Sequence, residues 1–97
     1  MPLDREKINR NAEKLVRAGK LKDAAREYSQ LLKESPNDLI LINKIGDLLA
    51  RAGKPAEAVR HFEKIGEVYS QGGFFLKAIA LYQKILKLVP HASDHRE

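Results

Sequence analysis

The sequence predicts an all-α fold of five helices, joined as antiparallel α-hairpins into a stacked array. Three observations carry this expectation. Apolar residues recur at helical spacing in five successive segments, and glycine or proline separates each segment from the next. The segments also repeat one another in register. No alternating run bounded by hairpin turns suggests a strand.

The first helix is expected over 5–18. Asp4 stands at its N-cap, Ile8, Ala12, Leu15 and Val16 share one face, and Gly19 ends it. The second is expected over 21–34, with Leu21, Ala24, Ala25, Tyr28, Leu31 and Leu32 as its stripe. Ser35-Pro36-Asn37-Asp38 then stops one helix and caps the next. The third, 38–52, is apolar around most of its circumference and ends at Gly53. Pro55 suits the first turn of the fourth, 55–71, where its missing N–H costs nothing. The fifth is expected over 74–89, stopping before Pro90. With 97 residues the chain has room for one domain with one core, placed at 1–90, and 91–97 is expected to fray.

Segments 15–36, 49–70 and 69–90 can be superposed. Gly19, Gly53 and Gly73 align in the turns, followed by Ala24, Ala58 and Ala78. Each alanine precedes an aromatic residue by four positions (Tyr28, Phe62, Tyr82), and Leu31, Ile65 and Ile85 follow. Pro36 and Pro90 close the first and last units. A small residue lets two helix backbones approach, and an aromatic one turn later fills the space beside it.

This pattern resembles the tetratricopeptide repeat, a helix–turn–helix unit of about 34 residues. Ile42, Ile45, Gly46 and Leu49, then Ala58 and Phe62, fit its slots in the second repeat. Ile8, Asn11, Ala12 and Leu15, then Ala24, Tyr28 and Pro36, fit them less closely in the first. The resemblance implies a right-handed superhelical array. Gly19 and Gly53 stand one full repeat apart, whereas Gly53 and Gly73 are separated by much less than a repeat. There is no room for a new first helix in the shorter interval. The fourth helix is therefore expected to stay continuous and serve both as the second helix of one hairpin and as the first helix of the next.

Composition limits the chemistry. With no cysteine, disulfides, thiolate catalysis and cysteine-ligated metals are excluded. No phosphate-binding glycine loop, H-E-x-x-H or G-x-S-x-G motif is present, so neither an enzyme nor a cofactor is expected. Glu57 and His61 lie one helical turn apart but lack a third ligand; an ordinary helix face explains them better than a metal site. No segment is long and apolar enough for a signal peptide or a membrane span, so a cytoplasmic location is expected. The net charge of +5 admits an alternative reading, a basic surface for nucleic acid or acidic protein segments. Acids one helical turn from many of the bases, such as Glu6 with Arg10, argue for solvated helix faces instead.

A protein-interaction adaptor is the leading expectation. The resemblance implies a concave groove lined by first helices, which places Asn9, Arg10, Glu13 and Arg17 there from the first helix. The third helix contributes Ile40, Asn43, Lys44, Asp47 and Arg51. If the fourth helix acts as a first helix it adds Arg60, Lys64 and Glu67. A C-terminal carboxylate clamp built on Lys44, Arg60 and Lys64 is disfavoured, because Glu13 would repel the terminus. The fifth helix has too narrow a polar face (Lys77, Gln83, Lys84, Lys87) for the end of an array. Its surplus apolar residues, assigned as Phe74, Phe75, Leu81, Leu86 and Leu88, are expected to meet a partner, a second copy of the chain or further sequence, unless the irregular fourth helix wraps the fifth deeper into the chain's own core.

Overall fold

The computed structural model describes residues 3–92, and among them every regular element is helical. The elements are α1 (Arg5–Arg17), α2 (Leu21–Ser29) with a 3-10 turn (Gln30–Lys33), α3 (Leu39–Arg51), α4 (Pro55–Gln71) and α5 (Phe75–Ala92). Asp4 and Asp38 begin α1 and α3. Their carboxylates accept the backbone N–H of Lys7 and Leu41, each at 3.1 Å, and so satisfy donors that a helix start leaves unpaired.

Three turns are built alike. After α1, Gly19 takes φ +78°, a conformation that strains any residue carrying a Cβ. The Gly19 N–H then reaches the Val16 carbonyl at 3.0 Å, and the Lys20 N–H reaches that of Leu15 at 2.8 Å. These two bonds close the helix end as a Schellman motif. The same pair recurs after α3 and after α4, where Lys54 donates to Leu49 and Phe74 to Tyr69. Phe74 therefore lies outside α5, its carbonyl accepting from the Ala78 N–H, and the helix opens at Phe75 rather than at 74.

Two other helix ends differ from expectation. The second helix does not continue as α-helix to 34. The Ser29 hydroxyl donates to the Ala25 carbonyl at 2.7 Å, competing with the helical bond there, and the chain tightens into the 3-10 turn from Gln30. Helix α5 does not stop before Pro90 but runs to Ala92. A proline there loses its own N–H bond and crowds the carbonyl one turn back, a cost that falls on the final turn alone because only two residues of α5 follow Pro90. Residues 91 and 92, expected in the frayed tail, thus belong to α5, and 93–97 lie outside the described residues.

The core runs the length of the array and is closed by small residues. Ala12, Ala24 and Ala58 are fully buried, Ala78 nearly so, with Tyr28, Phe62, Ile42 and Ile45 among them. Helix α4 is continuous and pairs with both α3 and α5. On its α3 side, a Cβ added to Gly46 would lie 2.7 Å from the Phe62 ring. On its α5 side, a Cβ on Gly66 would lie 2.9 Å from the Tyr82 ring. The interval from Gly46 to Phe62 equals that from Gly66 to Tyr82, and Ala12 to Tyr28 repeats it in α1 and α2. One helix thus supplies Phe62 as a second helix and Gly66 as a first.

These two glycines should respond differently to substitution. Phe62 is fully buried and has nowhere to go, so Gly46→Ala should destabilise the chain by roughly 1–2 kcal/mol despite alanine's better helix propensity. The Tyr82 ring is partly exposed and can swing outward, so Gly66→Ala should fall within about 0.5 kcal/mol of the parent. Urea unfolding of both variants checks the contrast.

Candidate functional site

Alternation of the helices gives the array two long faces. Helices α1 and α3 flank a cleft of about 310 Å³ lined by Glu13, Val16, Arg17, Tyr28, Lys44, Leu48 and Arg51. Tyr28 comes from α2, behind the cleft. Helices α3 and α5 flank a second cleft of similar size, with Leu39, Ile40 and Asn43 on one wall, Leu81 on the other, and Ile65 and Tyr69 of α4 behind. The odd-numbered helices therefore share one face. On the opposite face α2 and α4 flank smaller clefts backed by Ile42, Ile45 and Leu49 of α3.

The α1–α3 cleft combines an apolar floor with a charged rim. The Lys44 ammonium stands 4.9 Å from the centre of the Tyr28 ring, an attraction between a cation and the negative face of an aromatic ring. Burial, and then the nearby negative charge of Glu13, raise the Tyr28 phenol above its ordinary value of 10.0. In the α3–α5 region Lys84 joins the two helices. Its Nζ lies 2.8 Å from Asp47 Oδ1, 3.3 Å from Asn43 Oδ1 and 4.3 Å from the centre of the Phe62 ring. Asn43 Nδ2 in turn donates to Asp47 Oδ2 at 3.4 Å. Asn43 and Asp47 thus hold α5 against α3 with their polar groups.

The residues expected in one groove separate into distinct places. Glu13, Arg17, Lys44 and Arg51 come together in the α1–α3 cleft, and Ile40 and Asn43 in the α3–α5 cleft. Asn9 and Arg10 are exposed on α1 and line neither cleft. Arg60 and Lys64 face the other way: with His61 they line a cleft against Leu32, Pro36 and Ile42, and Lys64 Nζ donates to the Pro36 carbonyl at 3.0 Å. Glu67 is exposed on α4, outside both odd-face clefts. The bases of a carboxylate clamp therefore do not converge, since Lys44 lies across the array from Arg60 and Lys64. The reason is the double use of α4. Its 57–61–64 stripe turns toward α2, where a second helix belongs, even though Gly66 serves it as a first helix.

The apolar assignment on α5 is corrected in part. Phe74, Phe75 and Leu86 are exposed, but Leu81 and Leu88 are half-buried and pack on the chain's own core. Leu76, Ile79 and Tyr82 are the exposed apolar residues that the sequence reading missed. Phe74 meets Tyr69 edge-on at 6.3 Å, with Lys77 Nζ within 5.6 Å of both ring centres.

His61 Nδ1 lies 3.0 Å from the Glu57 carbonyl, so this nitrogen carries the donated proton. Among the described residues no group of three or more His, Asp or Glu side chains could hold a metal ion. Nor is any described helix long and apolar enough to cross a membrane.

Stacked hairpins packed through small-to-aromatic contacts, with open clefts on both long faces, define a helical-repeat protein. The tetratricopeptide repeat family model matches residues 9–68, and the chain belongs to that family. Tetratricopeptide repeats are in general protein–protein interaction modules, a non-catalytic repeat scaffold. No match was found among curated proteins.

The raised Tyr28 value sets a pH dependence. The unfolded chain gives up this proton near pH 10.0 while the folded chain still holds it, so stability is full below that pH and falls as pH rises through the folded value. In a tyrosinate absorbance titration, Tyr28→Phe should remove a component that ionises above the ordinary value. Glu13→Gln should move that component to lower pH without bringing it fully to the ordinary value, because burial, the larger cause, remains.

Proposed function

We propose that the chain is an adaptor that binds a segment of another protein along the face shared by α1, α3 and α5. The observation that carries this is the α1–α3 cleft: Val16, Tyr28 and Leu48 offer apolar contact, while Arg17, Lys44 and Arg51 outnumber Glu13 around them. Such a site suits an apolar side chain flanked by carboxylates. The apolar group would be taken from water against the ring and aliphatic side chains, and the bases would pair with the acids. Ile40 and the α3–α5 cleft extend the same face and could hold a second apolar side chain of the segment.

Selection from a displayed random-peptide library tests this reading. Enriched sequences should carry an apolar residue beside Asp or Glu, and the charge reversals Arg17→Glu and Lys44→Glu should abolish the enrichment. Enrichment that survives both reversals would show that this face is not the one used. A nonspecific DNA duplex provides the contrast: affinity for the duplex above that for the selected peptides, falling steeply with salt, would favour the basic-surface reading.

A further inference from the structure

The internal repeat shows what the exposed stripe on α5 is shaped to receive. Sliding the α1–α2 hairpin along the sequence until Ala24 meets Ala78 lays it on α4–α5, with Ala12 on Gly66, Tyr28 on Tyr82 and Leu31 on Ile85. In this register Leu21, Ala25, Tyr28 and Leu32 correspond to Phe75, Ile79, Tyr82 and Leu86. In the first hairpin this stripe is covered by α3. Leu21 shares a cavity with Arg51 and Ala52, Ala25 with Ile45 and Leu49, Tyr28 with Lys44 and Leu48, and Leu32 with Ile42. The order of these partners shows α3 lying antiparallel to α2.

The corresponding positions on α5 are open. Ala25 and Tyr28 are 2% and 4% exposed, whereas Phe75, Ile79, Tyr82 and Leu86 are 64%, 51%, 39% and 65% exposed. Leu76 extends the patch.

We infer that the Phe75–Ile79–Tyr82–Leu86 stripe is a docking site for an amphipathic helix of a partner protein, seated antiparallel to α5 as α3 is seated on α2. The site is separate from the odd-face groove. Its register specifies the chemistry of the occupant. Large apolar residues stand where α3 has Leu48 and Ile42, facing Tyr82 and Leu86. A smaller residue stands where α3 has Ile45, because Ile79 fills space that Ala25 leaves. A Lys or Arg stands where α3 has Lys44, over the Tyr82 ring, with Glu67 at the register position of Glu13 to favour it. A second copy of the chain is a poor occupant. Its α1 presents no large exposed apolar residue, and two α5 helices would oppose Lys77 and Lys87 with no acid anywhere from 74 to 92.

The probe is a capped synthetic peptide of residues 38–52 carrying Ile45→Ala, with Ile40→Lys for solubility, added to the intact chain. The chain should sediment as a monomer and bind the peptide saturably, with amide shifts centred on Ile79 and Tyr82. Ile79→Asp and Leu86→Asp lie on exposed positions and should keep the parent's helical circular dichroism while weakening binding about tenfold or more. Lys44→Glu in the peptide should weaken it as well. Absence of binding by the parent chain would overturn the inference. So would binding that both aspartate variants retain, since the peptide would then be exchanging for the chain's own α3. A dimer that these variants dissolve would make a second copy the occupant, and the inference would again fail.

Discussion

Close approach of two helices through a residue with little or no side chain, with an aromatic ring set against it, is the constraint on which this molecule depends. It occurs at Gly46 with Phe62 and at Gly66 with Tyr82, where a single added carbon would collide with the ring. Ala12 and Tyr28 occupy the corresponding positions in the first hairpin, both buried. The buried Phe62 ring fixes the separation and axial register of α3 and α4, whereas the partly exposed Tyr82 ring occupies the same register between α4 and α5 and can yield there. Everything else follows from those registers: which residues flank the clefts, which lysine meets which ring, and which stripe stays open.

Helix α4 satisfies this constraint twice. Phe62 and Gly66 are one turn apart, and a turn of helix rotates side chains by nearly a full circle. They therefore lie on neighbouring rather than opposite faces, and α3 and α5 pack on the same side of α4 closely enough for Lys84 to reach Asp47 at 2.8 Å. The shortened interval between Gly53 and Gly73 thus has a physical result. It gives α3 and α5 a common face and leaves the flank of α4 that carries Arg60, His61 and Lys64 turned toward α2. The salt bridge itself is half exposed and contributes modestly to stability. With the Phe62 ring beneath the ammonium, however, its geometry is held more tightly than that of a free surface pair.

Most of the fold was legible in the sequence because its signals are local. The glycines at 19, 53 and 73, the aspartates at 4 and 38 and the buried alanines each act within a turn or two of helix, and each does in the structure what its chemistry implies. Ser29 was the local signal that was missed: a hydroxyl able to reach the carbonyl four residues back was sufficient reason for α2 to tighten early. The surfaces were harder to read because they depend on which helix lies next to which. Carrying Arg60 and Lys64 into the groove assumed that a helix acting as a first helix toward α5 must act so toward α2 as well. On α5, choosing apolar residues by type alone mixed inward Leu81 and Leu88 with outward Leu86. The Ala24-to-Ala78 register in the sequence already places Ile79 and Tyr82 on the stripe that Ala25 and Tyr28 occupy in the first hairpin.

The open stripe also ties binding to stability. Helix α5 is buried on the side facing α4 and the core, through Ala78 and Ile85, while its outer apolar residues meet water. Burying one large apolar side chain is worth on the order of 1.5–3 kcal/mol, and a whole domain is stable by only about 5–15 kcal/mol. Covering even part of Phe75, Ile79, Tyr82 and Leu86 would therefore shift the balance of the α4–α5 hairpin by a substantial fraction of the total. Any helix seated there binds the folded hairpin alone, because the four residues are aligned only while α5 is helical and packed on α4 and the core through Ala78 and Ile85. Occupancy must consequently stabilise α5 and, through Lys84 and Asp47, the α3 wall of the odd face. The two surfaces are distinct in position but share a structural support, and that support is the close contact between α4 and α5.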